Sequence, residues 1–467
     1  MRHNRRDFIK TAAAAGFATF NISGTKASRQ ILGANERIHV AVAGVHGRGQ
    51  SHIGGFSGLD DVEVTTLIDP DTRLHREGYT CIADVRDALE DKNIDVISVA
   101  TPNHWHSLIT VWACQAGKDV YVEKPLSHNV SEGRRCVEAA RYYDRMVQHG
   151  TQNRSSTGKA REIAAVQSGD YGKLLVSKGY CCKPRWSIGQ KPTKPAPGEL
   201  DFNIWLGPAP EQPYHENLVH YNWHWFWDFG NGDTGNQGVH EMDIARWAIK
   251  DATLPTRVWS LGGRFGYEDQ GETPNTQLTV YEYGDAILLF ETRGLVGKHD
   301  GFDRKVANEY YTTEGMITGG KFYPADGGEP ESVQAPEDVS VTPGGPFGSF
   351  IAAVRSREMT DLNADVEEGH YSSALCHLAN ISYRLGETVP FDKKKMALGD
   401  NKQVVESLET IHANLKAVGV KFDDTQYILG RELTMNPETE TFVDDPQANQ
   451  LLTREYREEF AVPAKIG

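Results

Sequence analysis

Cysteine is scarce in this chain, with six residues in 467, and their spacing fits neither a zinc site nor a small disulfide framework. Basic residues are outnumbered: 49 Lys and Arg face 64 Asp and Glu, for a net charge of −15. That balance argues against a broad nucleic-acid or anionic-membrane surface. No internal repeat or low-complexity tract is present. The weakly apolar run Thr11–Phe20 is too short to span a bilayer. Composition is otherwise that of a soluble protein, with 39% apolar and 24% charged residues. The length suffices for two or three domains.

The N-terminus reads differently from the rest. Asn4-Arg5-Arg6-Asp7-Phe8-Ile9-Lys10 precedes the Thr11–Phe20 run, an order similar to a twin-arginine export signal. The expectation is a signal peptide over 1–30 and a periplasmic protein exported already folded, which has no need of disulfides.

Ile38-His-Val-Ala-Val-Ala43 reads as a buried parallel strand, followed by Gly44-Val-His-Gly-Arg-Gly49 and a helix from about Gln50. Strand, glycine turn and helix are the setting of a dinucleotide fingerprint. Glycines admit the pyrophosphate, and the helix N-terminus offers free N–H groups. Gly44, Gly47, Arg48 and Gly49 are therefore candidate cofactor contacts. So is His46, although it stands where the second glycine usually is. A second strand, 62–68, ends in Asp69, twenty residues after Gly49. A carboxylate there accepts from ribose hydroxyls and repels a 2′-phosphate, which favours NAD; Arg73 leaves NADP open.

Two further strands end in Thr101-Pro-Asn-His-Trp-His106 and in Glu123-Lys124-Pro125. Alternating strands and helices imply a doubly wound parallel sheet, which binds ligands at the carboxyl ends of its strands. Thr101, Pro102, Asn103, His106, Glu123, Lys124 and Gln152 join the cofactor-side candidates. Arg154, Trp223 and Trp225 are candidates for the substrate side, Trp223 and Trp225 because aromatic faces suit the C–H faces of sugars. Trp223 and Trp225 read equally well as core.

With these motifs the chain resembles the glucose–fructose oxidoreductase / inositol dehydrogenase / MocA family, from about Ile38 to its end. The carriers are the 44–49 turn, Thr101–His106, Glu123–Pro125, Gly150-Thr-Gln-Asn-Arg154 and Asn236-Gln-Gly-Val-His240. The resemblance implies a Rossmann domain (36–155) and an α+β substrate domain (156–390) with an open, mostly antiparallel sheet that often forms an oligomer interface. A helical extension and tail would follow (391–467). It implies hydride transfer between a carbohydrate and NAD, with Lys124 as the orienting cation and His240 as general base. The family's usual aspartate is Asn236 here, which cannot act as a base. Three functions stay open on these grounds. The first is a sugar oxidoreductase, its NAD either exchanged or retained and recycled within each turnover. The second is a glycoside hydrolase working through a keto-sugar with recycled NAD. The third is a non-catalytic cofactor-binding protein. No metal site is expected.

Overall fold

The computed structural model describes residues 37–297, 302–391 and 401–467; residues 1–30, where an export signal is expected, lie outside them. The first sheet holds six parallel strands: β1 (Ile38–Ala43), β2 (Val62–Ile68), β3 (Thr80–Ile82), β4 (Val96–Val99), β5 (Asp119–Val122) and β6 (Val147–His149). Their order is β3-β2-β1-β4-β5-β6, the doubly wound order of dinucleotide-binding domains. Every residue of β4 and β5 is buried, as expected of strands covered on both faces. Helices α1 (Arg48–Ser57), α2 (Val85–Glu90), α3 (Asn103–Gln115) and α4 (Val130–Tyr142) link them, and α5 (Thr157–Ser168) follows. Because β1, β4 and β5 are neighbours, Gly44, Thr101 and Lys124 leave the sheet along the same edge.

The second sheet has twelve strands. Its centre is β7 (Leu174–Cys182), β8 (Arg257–Gly263), β9 (Thr276–Tyr283), β10 (Ala286–Arg293) and β11 (Lys305–Thr312). All pairings in it are antiparallel except that of β10 with β7. Between β7 and β8 lie the short helix α6 (Phe202–Leu206), then α7 (Gly232–Asn236) and α8 (Gly238–Ala248). Only Gln237 separates α7 from α8, so Asn236 ends one helix and His240 lies in the first turn of the next.

The expected boundaries at 155/156 and 390/391 do not separate the packing. Helix α9 (Gly345–Ser356) places Phe350, Ile351, Ala353 and Val354 in the same core as Val40, Val42 and Tyr121 of the first sheet. Residues 357–365 separate α9 from α10 (Val366–Arg384). Residues 401–467 pack on both domains. After α11 (Lys402–Ala417), strands at Gln426–Leu429 and Leu433–Asn436 pair with β8, and Phe460 and Val462 enter the Rossmann core. Among the described residues no helix is long and apolar enough to cross a membrane, and no cluster of His, Cys, Asp or Glu could hold a metal ion.

Candidate active site

A cavity of about 420 Å³ lies where the strand ends of the first sheet meet the second domain. Its walls include Gly44, His46, Gly47, Arg48, Asp69, Thr101, Pro102, Asn103, His106, Glu123, Lys124 and Gln152 from the first domain, with Trp223, Asn236 and His240 from the second.

The glycine turn is built to be bare. Gly44 has φ +79°, and a Cβ there would stand 2.6 Å from the Ala100 carbonyl oxygen. A Cβ on Gly49 would stand 1.9 Å from the Gly44 oxygen, so neither position admits a side chain. Gly47, beside His46, has φ +45° and faces open space. No side chain caps the N-terminus of α1; the N–H groups of Gly49 and Gln50 close on the His46 and Gly47 carbonyls at 3.0 and 3.2 Å, so what this end offers an anion is mainly the positive end of the helix dipole. The His46 ring stacks on His220, with centroids 4.9 Å apart.

Asp69 sits at the end of β2 and accepts hydrogen bonds from the N–H groups of Val45 and Asp71, each at 3.0 Å. Burial raises its pKa, with these two N–H groups opposing the shift. Arg73, the residue that kept NADP open, closes on Asp71 (Nε to Oδ1, 2.7 Å) and is not part of the cavity wall. A 2′-phosphate would therefore meet the Asp69 carboxylate without a facing arginine. Thr101 Oγ1 and Asn103 Nδ2 are buried without a hydrogen-bond partner. Unpaired buried polar atoms are rare enough to call for a missing partner. The bare glycine turn, the uncapped helix, the ribose-side carboxylate and these two orphaned groups together fit a dinucleotide.

Two of the cofactor-side candidates on the cavity wall, Glu123 and His106, also contact neighbouring protein groups. Glu123 is buried and accepts from Arg48 Nε (2.7 Å) and Gln152 Nε2 (2.9 Å), while His52 Nε2 lies 3.2 Å away. Burial alone would raise its pKa, but His52, and then the Arg48 and Lys124 cations, hold it well below the usual carboxylate range. His106 directs Nδ1 at the Pro125 carbonyl (2.6 Å) and Nε2 at the Thr101 carbonyl (2.8 Å). Burial lowers its pKa, and a neutral imidazole donates through only one nitrogen, so the ring is hydrogen-bonded to the end of one of these two strands and packed against the other.

Lys124 crosses to the second domain. Its Nζ donates to the Asn236 backbone carbonyl and lies 3.5 Å from Asn236 Oδ1. Burial lowers its pKa. His240, one turn into α8, is pushed down to about 3 by burial and then by the Lys124 cation, so its imidazole is neutral at ordinary pH.

Two substrate-side candidates fall elsewhere. Arg154 is buried against Asp243 (2.9 Å) and Glu368 (3.0 Å) and does not line the cavity. Its Gln-Asn-Arg position placed it next to Gln152, but a short 3₁₀ turn over Gln152–Ser155 sends the two apart. Trp225 is 3% exposed, lies under the Arg264 guanidinium and joins the aromatic core of the 200–229 loop; Trp223 alone of the pair reaches the cavity. Tyr221 and Gln237 also line the cavity, as do Lys183, Arg185 and His220, which were not singled out from the sequence. Lys183 and Arg185 directly follow β7. The exit of this strand into the site is the signal that would have pointed to them.

Fold and site together define an NAD-binding oxidoreductase scaffold. The chain belongs to the glucose–fructose oxidoreductase / inositol dehydrogenase / MocA family: residues 38–151 match the oxidoreductase family's NAD-binding Rossmann fold and 172–415 its C-terminal alpha/beta domain. It is 28% identical over 292 residues to the inositol 2-dehydrogenase of Leifsonia xyli, covering 58% of this chain and 81% of that one. It is 24% identical over 225 residues to a glycosyl hydrolase family 109 protein of Shewanella pealeana, covering 42% of this chain and 49% of that protein. The chain thus spans about half the length of that relative. The WlbA dehydrogenase of Bordetella pertussis, solved with NADH and UDP-GlcNAcA, superposes with a TM-score of 0.58 at 17% identity, over 75% of this chain and 97% of the other.

Proposed function

We propose that the protein is an NAD-dependent oxidoreductase that oxidises a hydroxyl of a sugar or sugar derivative. The observation that carries this reading is the meeting of Lys124, Asn236 and His240 in one cavity with the bare glycine turn. Bound NAD supplies the hydride acceptor. The chain's own residues handle the proton and the charge. His240, neutral, accepts the hydroxyl proton, and alkoxide charge growing beside it restores part of the basicity that burial removes. The Lys124 cation stabilises that alkoxide. Asn236 fixes Lys124 through its carbonyl oxygen without adding a charge.

A second reading, net glycoside hydrolysis through a keto-sugar with the NAD returned to its starting state, is favoured by Asn236 and by the similarity to glycosyl hydrolase family 109 proteins. A purely cofactor-binding role accounts for neither Lys124 nor His240. Export by the twin-arginine route, resting on Arg5 and Arg6, belongs to the same proposal, and it makes a retained cofactor advantageous. N-terminal sequencing of the protein from the periplasmic fraction tests it. Self-association through the C-terminal sheet follows from the family resemblance, and light scattering tests it.

The deciding experiment is to purify the protein without added cofactor, denature it and assay the supernatant for NAD(H) and NADP(H). Near-stoichiometric NAD supports the reading and a retained cofactor. Predominant NADP(H), or a protein with no affinity for either, contradicts it.

A further inference from the structure

The charged residues on the cavity wall do not balance. Four cations line it, Arg48, Lys124, Lys183 and Arg185, against two carboxylates, Asp69 and Glu123. Two of the cations are already matched. Arg48 is paired with Glu123, and Arg185 grips the buried Asp233 through two nitrogens at 3.1 and 2.8 Å. Lys124 is the cation assigned above to the reacting hydroxyl. Lys183 is left. Among the described residues it forms no ion pair, and its Nζ donates to the side-chain oxygen of Gln237 at 2.8 Å.

That contact looks arranged, because the other end of the Gln237 amide is held too. Its nitrogen donates to both oxygens of Glu241 at 3.3 Å, which turns the amide oxygen toward Lys183. Gln237 lies between Asn236 and His240 in sequence, and all three line the cavity. Lys183 is close enough to His240 to depress the basicity of its imidazole. Burial pushes Glu241 up to about 8, so the carboxyl behind Gln237 is mostly protonated at neutral pH and leaves the lysine charge uncompensated.

Resting on the sugar-oxidation reading, we propose that Lys183 binds a carboxylate on the substrate, so that the preferred substrate is an acidic sugar of the uronic acid class. The ammonium offers two donors beyond the one given to Gln237. A charge-assisted hydrogen bond in a sheltered cavity gives selectivity for the acid over its neutral counterpart. The neutral alcohol leaves that ammonium without its partner.

The test is calorimetric binding to the NADH-loaded protein, which holds the cofactor in the form that cannot oxidise an alcohol. Methyl β-D-glucuronide and methyl β-D-galacturonide are compared with the corresponding methyl glucoside and galactoside, in the wild type and in Lys183→Met at equal NADH occupancy. The expected result is that an acid binds about tenfold or more tightly than its neutral partner, the scale of one charge-assisted hydrogen bond, and that Lys183→Met closes the gap. Neutral glycosides binding as tightly as the acids overturn the inference and leave the sugar reading standing. A preference that persists in Lys183→Met also overturns it. Failure of all four to bind overturns both.

Discussion

Lys124 Nζ, from the end of a Rossmann strand, donates to the backbone carbonyl of Asn236 in the second domain, and the Asn236 side-chain oxygen lies 3.5 Å away. The cation is held in place by neutral oxygens. Burial lowers its pKa, and Asn236 brings no charge to offset that.

Asn236→Asp therefore puts a carboxylate within reach of Lys124 and raises the lysine's pKa. Lys124 is required as the cation, so activity falls as pH rises through its lowered pKa. The alkaline limb of the kcat/KM profile moves to higher pH in the variant. An alkaline limb that stays where it is would detach Lys124 from that limb.

Burial raises the Glu241 pKa from 4.5 to about 8. Folding then takes up a proton between those values, so this residue costs no stability below about pH 4.5 and progressively more as pH rises to about 8. Glu241→Gln, which cannot ionise, flattens that part of the stability–pH curve. Urea unfolding at pH 5 and at pH 8 checks it. The variant gains on the wild type at the higher pH, and an equal difference at both would contradict the assignment.

Arg154→Leu leaves Asp243, whose side chain is 1% exposed, without its buried partner. Stability falls by about 3–5 kcal/mol. The NAD affinity of the folded variant stays that of the wild type, because Arg154 is not on the cavity wall. Unfolding curves with and without NAD separate the two effects.

Gly49→Ala places a methyl group 1.9 Å from the Gly44 carbonyl oxygen, a clash with backbone that only a moved turn relieves. NAD binding weakens by at least tenfold in a fluorescence titration while the far-UV spectrum keeps its helix and sheet content. Unchanged affinity would mean the turn is not where the cofactor sits.

The first domain was nearly all legible because its strands are continuous apolar runs that end in glycine, Thr-Pro or Glu-Lys-Pro punctuation. The strand order then carries Gly44, Thr101 and Lys124 to one edge. Pairing was not legible. Nothing local to Arg154 announces Asp243, eighty-nine positions away, and Trp223 and Trp225 have the same chemistry but different burial. Helix α9 returns from the second half to cover the first sheet through Phe350 and Ile351, an arrangement that no linear boundary expresses. Lys183 and Arg185 carry no local motif, and only the direction of β7 shows that they enter the site.

The most direct test of the oxidation chemistry is a single turnover of protein-bound NAD with a panel of sugars and sugar acids, followed by the fluorescence of bound NADH, in the wild type and in Lys124→Ala at equal NAD occupancy. Bound NADH should form in the wild type, and its rate should fall by about 10²–10³ in the variant, the cost of losing one group that stabilises the developing oxyanion. Equal rates in the two proteins would contradict the site proposed here, and no NADH with any sugar in the wild type would contradict the reaction.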